Sequence, residues 1–303
     1  MSRQTVPNYD IGTDTARLSL LTNGGFEIWQ RGNGPFTANS AWSADRWQIS
    51  LGGGSSISVS RDTTNVDASS QAAAAVSYTH SASSNIQQLQ EGYLQLRGRT
   101  VTFSMRVRVA TANAVRLGMW DSVNSYRYSS YHTGDGTYQT LTLTAPIAAT
   151  TTAFVVYVFF DASCTAYLDN AMLVVGAVAA DYAPLHPADD LARCLRYYET
   201  FSNANNDNIW ATGLVTTVSA AQIPLRYRAI KAVTATVTGV TATNMSLTQA
   251  NGGFSAITSF SSDNASASGC RLMLGCAGGL VAGNATYLLA SAAGAGITIE
   301  ANP

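Results

Sequence analysis

RTVTFSMRVRV, residues 99–109, sets Val101, Phe103, Met105, Val107 and Val109 on one side of an extended chain and Thr100, Thr102, Ser104, Arg106 and Arg108 on the other. An apolar period of two sustained over this length marks a strand with one face buried and one wet. The pattern recurs on both sides of it, in SSISVSR (55–61), AAAAVSYTH (72–80), AVRLGMW (114–120), YQTLTLT (138–144), TAFVVYVFF (152–160) and TAYLDNAMLVV (165–175). Turn clusters such as LGGGSS (51–56) and HTGDGT (132–137) separate the runs. Many short strands without helical patterns between them predict an all-β antiparallel jelly-roll sandwich over residues 20–178.

The flanks read differently. Residues 1–19 are polar, with Pro7, Gly12 and scattered charges, and predict an extended anchoring arm without a core. HPADDLARCLRYYETF (186–201) carries the helical signal. Pro187 and Asp189 suit a helix start, and Leu191, Cys194, Leu195 and Tyr198 fall at i, i+3, i+4 and i+7. This predicts a linker with a short helix over 179–204. Residues 205–303 return to short β-prone runs (IWATGLVTTV, AVTATVTGV, CRLMLGC, ATYLLASA, GITIE) and predict a small C-terminal β-sandwich.

Composition narrows the function. Of the 303 residues 46% are hydrophobic, enough for a core, and only 12% are charged, so polarity comes from Ser, Thr, Asn and Gly. Seventeen basic residues against eighteen acidic leave a net charge of −1, without the basic excess that phosphate neutralisation needs, so nucleic acid is not an expected partner. Lys231 is the single lysine. The opening residues show no apolar core of a signal peptide and no run long enough to span a membrane occurs, so neither a conventional leader nor membrane insertion is expected. Cys164, Cys194, Cys270 and Cys276 have no metal-ligand spacing. Cys270 and Cys276 could close a hairpin, and buried free thiols are the plainer alternative.

Two sets of motifs carry resemblances. TNGGFEIW (22–29), GRTVTFSMRVRV (98–109), DGTYQTLTLTAP (135–146) and TAYLDNAMLVVG (165–176) follow one another as in the carbohydrate-binding jelly rolls appended to xylanases and cellulases, which this half of the chain resembles. GGFEIWQRGNGPFTANSAWSADRW (24–47), with WSADRW at 42–47 and LARCLRYYETF at 191–201, is similar to fibre and receptor-binding proteins of tailed bacteriophages and related gene-transfer particles. That resemblance implies a virion exterior location, an N-terminal arm docked on a capsid or tail protein, a homotrimer, and adhesion to a host-surface polysaccharide. The first resemblance implies a structural calcium ion between the first and last strands, for which Glu27 and Asp169 would supply carboxylates; Asn170 stands where a second Asp is common.

Sugars need flat rings for their C–H faces and amides, carboxylates or guanidinium groups for their hydroxyls. MWDSVNSYRYSSYH (119–132) supplies both, in Trp120, Asp121, Tyr126, Arg127, Tyr128 and Tyr131, with Asn124 and His132 interleaved. Tyr126 and Tyr128 share one strand face and Arg127 takes the other. The competing reading packs these rings between two sheets. Trp29, Trp42 and Trp47 read as core or corner residues, Asp45 and Arg46 as an ion pair, and Arg31 as pairing a carboxylate while stacking on a ring. His80, His132 and His186 form no catalytic or metal motif, no nucleophile elbow or phosphate loop occurs, and no two carboxylates stand out among candidates such as Glu91, Asp121 and Asp135. The expectation is a non-catalytic virion fibre or spike subunit; the alternatives are a decoration protein without glycan binding and a glycan hydrolase.

Overall fold

A computed structural model describes residues 19–68, 70–202, 209–249 and 254–303 of the chain. The arm expected over 1–19 lies outside the described residues up to Ser19. The first unit contains β1 (Gln48–Ser50), β2 (Ser56–Asp62), β3 (Ala73–Thr79), β4 (Ser84–Leu89), β5 (Thr100–Val109), β6 (Val115–Asp121), β7 (Arg127–Tyr128), β8 (Tyr138–Pro146), β9 (Phe154–Phe160) and β10 (Cys164–Val175). They form two five-stranded antiparallel sheets, ordered β1-β4-β9-β6-β7 and β2-β3-β10-β5-β8. The alternation read in 99–109 points Phe103, Met105 and Val107 into the space between the sheets, where they meet Leu117, Met119, Val156, Val158 and Phe160. Each such side chain taken out of water stabilises the sandwich by about 1.5–3 kcal/mol.

The second unit contains α1 (Pro187–Leu195), β11 (Tyr198–Ser202), β12 (Ile209–Thr217), β13 (Ala220–Arg226), β14 (Thr236–Val240), β15 (Met245–Gln249), β16 (Phe254–Asp263), β17 (Gly269–Cys276), β18 (Ala285–Ala290) and β19 (Gly296–Glu300). Six strands close into a barrel, β12-β13-β17-β16-β15-β18, because β12 pairs with both β13 and β18. The remaining three form a sheet, β11-β19-β14, which shares the barrel's core through Ile297, Ile299 and Val237. A small sandwich was the expectation here; strand periodicity carries no information about closure. All four cysteines are buried free thiols, so Cys270 and Cys276 are not bridged.

The helix is shorter than its apolar stripe suggests. His186 caps it by accepting from the Ala188 N–H at 3.2 Å, Pro187 opens it, and Asp189 and Asp190 sit at its positive end. It stops at Leu195, and Tyr198 begins β11, which pairs residue for residue with β19. Residues 198–202, expected within the linker, thus belong to the C-terminal sheet. Tyr197 and Tyr198 leave the helix because two distant arginines stack on them. The Arg46 guanidinium lies 3.8 Å from the Tyr197 ring centre, and that of Arg31 lies 3.6 Å from Tyr198.

The opening stretch of the sandwich is irregular. Residues 20–26 make turns and bends, and Phe26 and Trp29 are both buried. Asn23, itself fully buried, holds the turn: its amide donates to the carbonyls of Ile28 at 2.9 Å and Asp45 at 3.1 Å, and its Oδ1 accepts the Ile28 N–H at 3.0 Å. Its backbone donates to Asp190 in α1 and accepts the Trp47 indole N–H at 2.9 Å. Gly24 follows because a Cβ there would stand 2.3 Å from the Ala171 carbonyl oxygen, at the bulge of β10. Asp45 and Arg46 turn apart: Asp45 takes Gln30 and Arg31, while Arg46 donates to Leu89 O and to Asn302 Oδ1 at 2.8 Å. Arg31 completes the junction with Glu300 at 2.6 Å.

Candidate functional site

The sheet β1-β4-β9-β6-β7 has an outer face unlike an ordinary solvated one. Strand β9, FVVYVFF, is apolar at both parities, so inward Phe154, Val156, Val158 and Phe160 leave Val155, Tyr157 and Phe159 outward. The registers align three rows across the sheet: Gln48, Gln87, Tyr157, Gly118 and Tyr128; Ser50, Asn85, Phe159 and Arg116; and Leu89, Val155 and Trp120. Amides on β1 and β4 thus pass into rings on β9, β6 and β7. Gly118 is required because a Cβ there would meet the Phe159 ring at 2.5 Å.

Tyr126 and Tyr128 roof the buried rings. They stack on each other at 6.1 Å and 14° between planes, and both stand edge-on to Phe159, at 5.7 and 5.3 Å. Tyr126 is also edge-on to Tyr157 at 5.4 Å. Although packed from below, Tyr126 and Tyr128 keep 46% and 40% of their surface in water, while Tyr157 and Phe159 keep 6% and 8%. Trp120, half-buried, packs against the same cluster. Arg116 is sandwiched between Tyr128 at 3.8 Å and Tyr131 at 4.8 Å, and Asp161 holds it at 2.8 Å while accepting the Tyr131 hydroxyl at 2.9 Å. The Gln87 amide donates to Gln48 at 3.1 Å, and Asn85 Oδ1 is buried without a hydrogen-bond partner.

The six residues expected to bind glycan therefore divide. Trp120, Tyr126, Tyr128 and Tyr131 gather on or beside this face. Asp121 and Arg127 do not: strand parity sends them to the other side, where they pair at 3.0 Å. Asp121 is fully buried and accepts the N–H groups of Val123 and Asn124 and the Asn124 amide, so it shapes the loop. Burial alone would raise its carboxyl, yet these hydrogen bonds and the Arg127 charge together lower it to about 2. Arg127 reaches across to the Pro146 carbonyl at 2.7 Å, and His132 is buried and bonded within its own loop. Tyr157, Phe159, Arg116, Gln48, Gln87 and Asn85 are the face residues the motif reading missed. The unbroken apolar run in β9, set between strands of alternating pattern, is the signal that points to them.

The carboxylates expected to hold calcium are arranged for another purpose. Asp169 is fully buried and both its oxygens accept protein donors: the Asp67 N–H at 2.9 Å, the Ser70 hydroxyl at 3.0 Å and the Asn170 N–H at 2.8 Å. Burial pushes its carboxyl up to about 6 against those bonds. The cation beside it is Arg106, which grips Asp67 with two bonds at 2.7 and 3.0 Å. Glu27 shares only the neighbourhood of Tyr182, whose phenol is raised by burial and then by Asp190, Glu27 and Asp169. A shell of N–H and O–H donors does not fit a hard cation that needs free oxygen lone pairs.

A cleft of about 460 Å³ opens beyond the end of β4. Leu89, Glu91, Leu94 and Gln95 line one side, and Arg196 and Tyr197 the other. Arg196 grips both Glu91 carboxylate oxygens, and the Tyr197 hydroxyl donates to Glu91 at 2.7 Å. These donors, the Arg196 hydrogen bonds foremost, hold the Glu91 carboxyl below its usual range.

No family model and no curated protein sequence matches this chain. Solved structures do resemble about half of it. The family 22 xylan-binding domain of Paenibacillus barcinonensis Xyn10C matches 54% of this chain and 98% of its own length, at 14% identity and a TM-score of 0.38. The family 22 module of Clostridium thermocellum Xyn10B matches 50% and 99%, at 18% identity and 0.35. Tailspike protein 4 of bacteriophage CBA120 matches 52% of this chain and 21% of its own, at 13% identity and 0.37.

Proposed function

We propose that this chain is a glycan-binding protein whose ligand lies on the outer face of the β1-β4-β9-β6-β7 sheet. One observation carries the reading: Tyr126 and Tyr128 stay exposed although two buried rings hold them in place. Fixed rings beside Gln48, Gln87 and Asn85 present a sugar with stacking surface and amide groups at low entropic cost. Binding proceeds without turnover, since Asp161, the carboxylate bonded to Tyr131 beside the rings, is committed to Arg116, Tyr131 and Ser83. The experiment is a glycan array with wild type, Trp120→Ala and Tyr126→Ala, with product release followed on every positive glycan. Binding lost in both variants while each still folds and unfolds cooperatively supports adhesion. Binding that survives in both, or released product, removes it.

The finer reading is a fibre or spike subunit on the exterior of a tailed-phage-like particle, anchored through residues 1–19 to a capsid or tail protein and assembled as a homotrimer. Its support is the resemblance carried by WQRG (29–32), ADRW (44–47) and RYY (196–198), whose residues Arg31, Arg46, Tyr197 and Tyr198 meet in one junction. Weak single-site affinity would then be multiplied by valency. A cryo-EM map of the particle tests it: the chain traced on the outer surface supports the reading, and its absence from particles ends it.

A further inference from the structure

The aromatic face and the cleft meet at one residue. Leu89 packs against the ring cluster on the outer face and also lines the cleft. Strand β4 continues in the same sense past its end, with Gln88 and Gln90 buried and Gln87, Leu89 and Glu91 turned outward. Leu89 lies in register with Val155 and Trp120, two strand spacings away, which is about 10 Å. A path therefore leads from the Tyr126–Tyr128 roof over Trp120 and Leu89 to the Glu91–Arg196 pair. That pair is suited to hydroxyls. Its charges cancel, its members remain about one-third exposed, and it offers acceptor and donor side by side, matching a group that both gives and takes a hydrogen bond.

We propose that the face and the cleft are two parts of one extended binding surface, whose ligand is an oligosaccharide long enough to run from the Trp120 ring to the hydroxyl-binding pair Glu91–Arg196. This rests on the glycan-binding reading above and adds to it a minimum ligand length and a second contact region formed with the C-terminal unit. A short oligomer occupies only the rings, and a longer one gains the cleft.

The test measures affinity by calorimetry on dimer-to-hexamer ladders of β-1,4-linked xylose, glucose and galactose. It uses the full chain, Leu94→Trp and Gln95→Ala. Leu94 is 58% exposed on the turn that lines the cleft, so an indole there fills the cleft without disturbing a core. The expected result is a hexamer bound about tenfold more tightly than the trimer of the same sugar. In Leu94→Trp the hexamer falls to the trimer's affinity, the trimer is unchanged and the melting temperature holds; Gln95→Ala removes part of the gain. Affinity independent of length, a gain retained in both variants, or a trimer weakened as much as the hexamer overturns the proposal and leaves glycan binding standing. Absence of binding by every oligomer to the wild type overturns both.

Discussion

Among the described residues, two arginines lie on tyrosines at the same separation with opposite surroundings. On the outer face Arg116 lies 3.8 Å from Tyr128, a ring 40% exposed; at the junction Arg46 lies 3.8 Å from Tyr197, a ring 8% exposed. The junction pair is enclosed between two units and fastened further by Asn302 and Leu89. The face pair has Asp161 beneath it and water above. Side-chain type and geometry are shared, so what separates the two places is whether the ring is covered on both sides.

The largest effect is expected inside the second unit, beside the junction. Lys231 and Glu199 form an ion pair with both side chains fully buried, and Lys231 also donates to the Leu195 carbonyl at the end of α1. Lys231→Met leaves the buried Glu199 charge with only the Arg228 N–H and its guanidinium at 3.6 Å and should cost about 3 kcal/mol in denaturant unfolding; adding Glu199→Met should recover part of it. Two buried carboxyls, Asp45 in the junction and Asp121 on the side of the sheet away from the outer face, should respond to pH with opposite sign. Burial pushes the Asp45 carboxyl in the junction up to about 6 despite Gln30 and Arg31, so the folded state holds its proton more tightly than the unfolded chain. Stability from Asp45 is then fully present below about pH 4 and lost as pH rises through about 6, on the order of 2–3 kcal/mol. Asp121, lowered to about 2, contributes stability present above about pH 4 and lost as pH falls through about 2. Melting across pH 2–7 should show Asp45→Asn flattening the upper slope and Asp121→Asn the lower; slopes unchanged in either variant contradict the assignment.

What the sequence made legible follows from the range of the forces involved. The sandwich strands announce themselves because burying one face needs only local alternation, as in Val101 to Val109. The helix end is not legible because Leu191 to Tyr198 satisfies a helical stripe, while the stacking of Tyr197 and Tyr198 comes from Arg46 and Arg31, residues far away in the chain. The opening turn is not legible, because the bonds made by the Asn23 side chain leave no periodic trace. On the outer face, Trp120, Tyr126 and Tyr128 are legible as ring-bearing neighbours in sequence. Tyr157, Phe159 and the Gln48–Gln87 pair come from other strands, and only the pairing register brings them into the same rows.

The smaller effects sharpen the comparison from the side of the face. Trp120→Ala and Tyr126→Ala should each lower glycan affinity about tenfold, while Tyr126→Ala costs about 0.5–1.5 kcal/mol of stability through its ring contacts. Arg116→Lys probes the least. Lysine keeps the charge and reaches Asp161, but it loses the planar group lying between Tyr128 and Tyr131. If Arg116 serves the face by holding these rings parallel to an incoming sugar, Arg116→Lys should weaken binding about threefold, which is less than 1 kcal/mol, with a melting temperature close to wild type. The same change at Arg46, where the guanidinium also fills a closed joint, should lower the melting temperature and leave binding to short oligomers untouched. Were both substitutions to act on stability alone, the outer stack would be a second joint, and exposure would cease to separate the two regions.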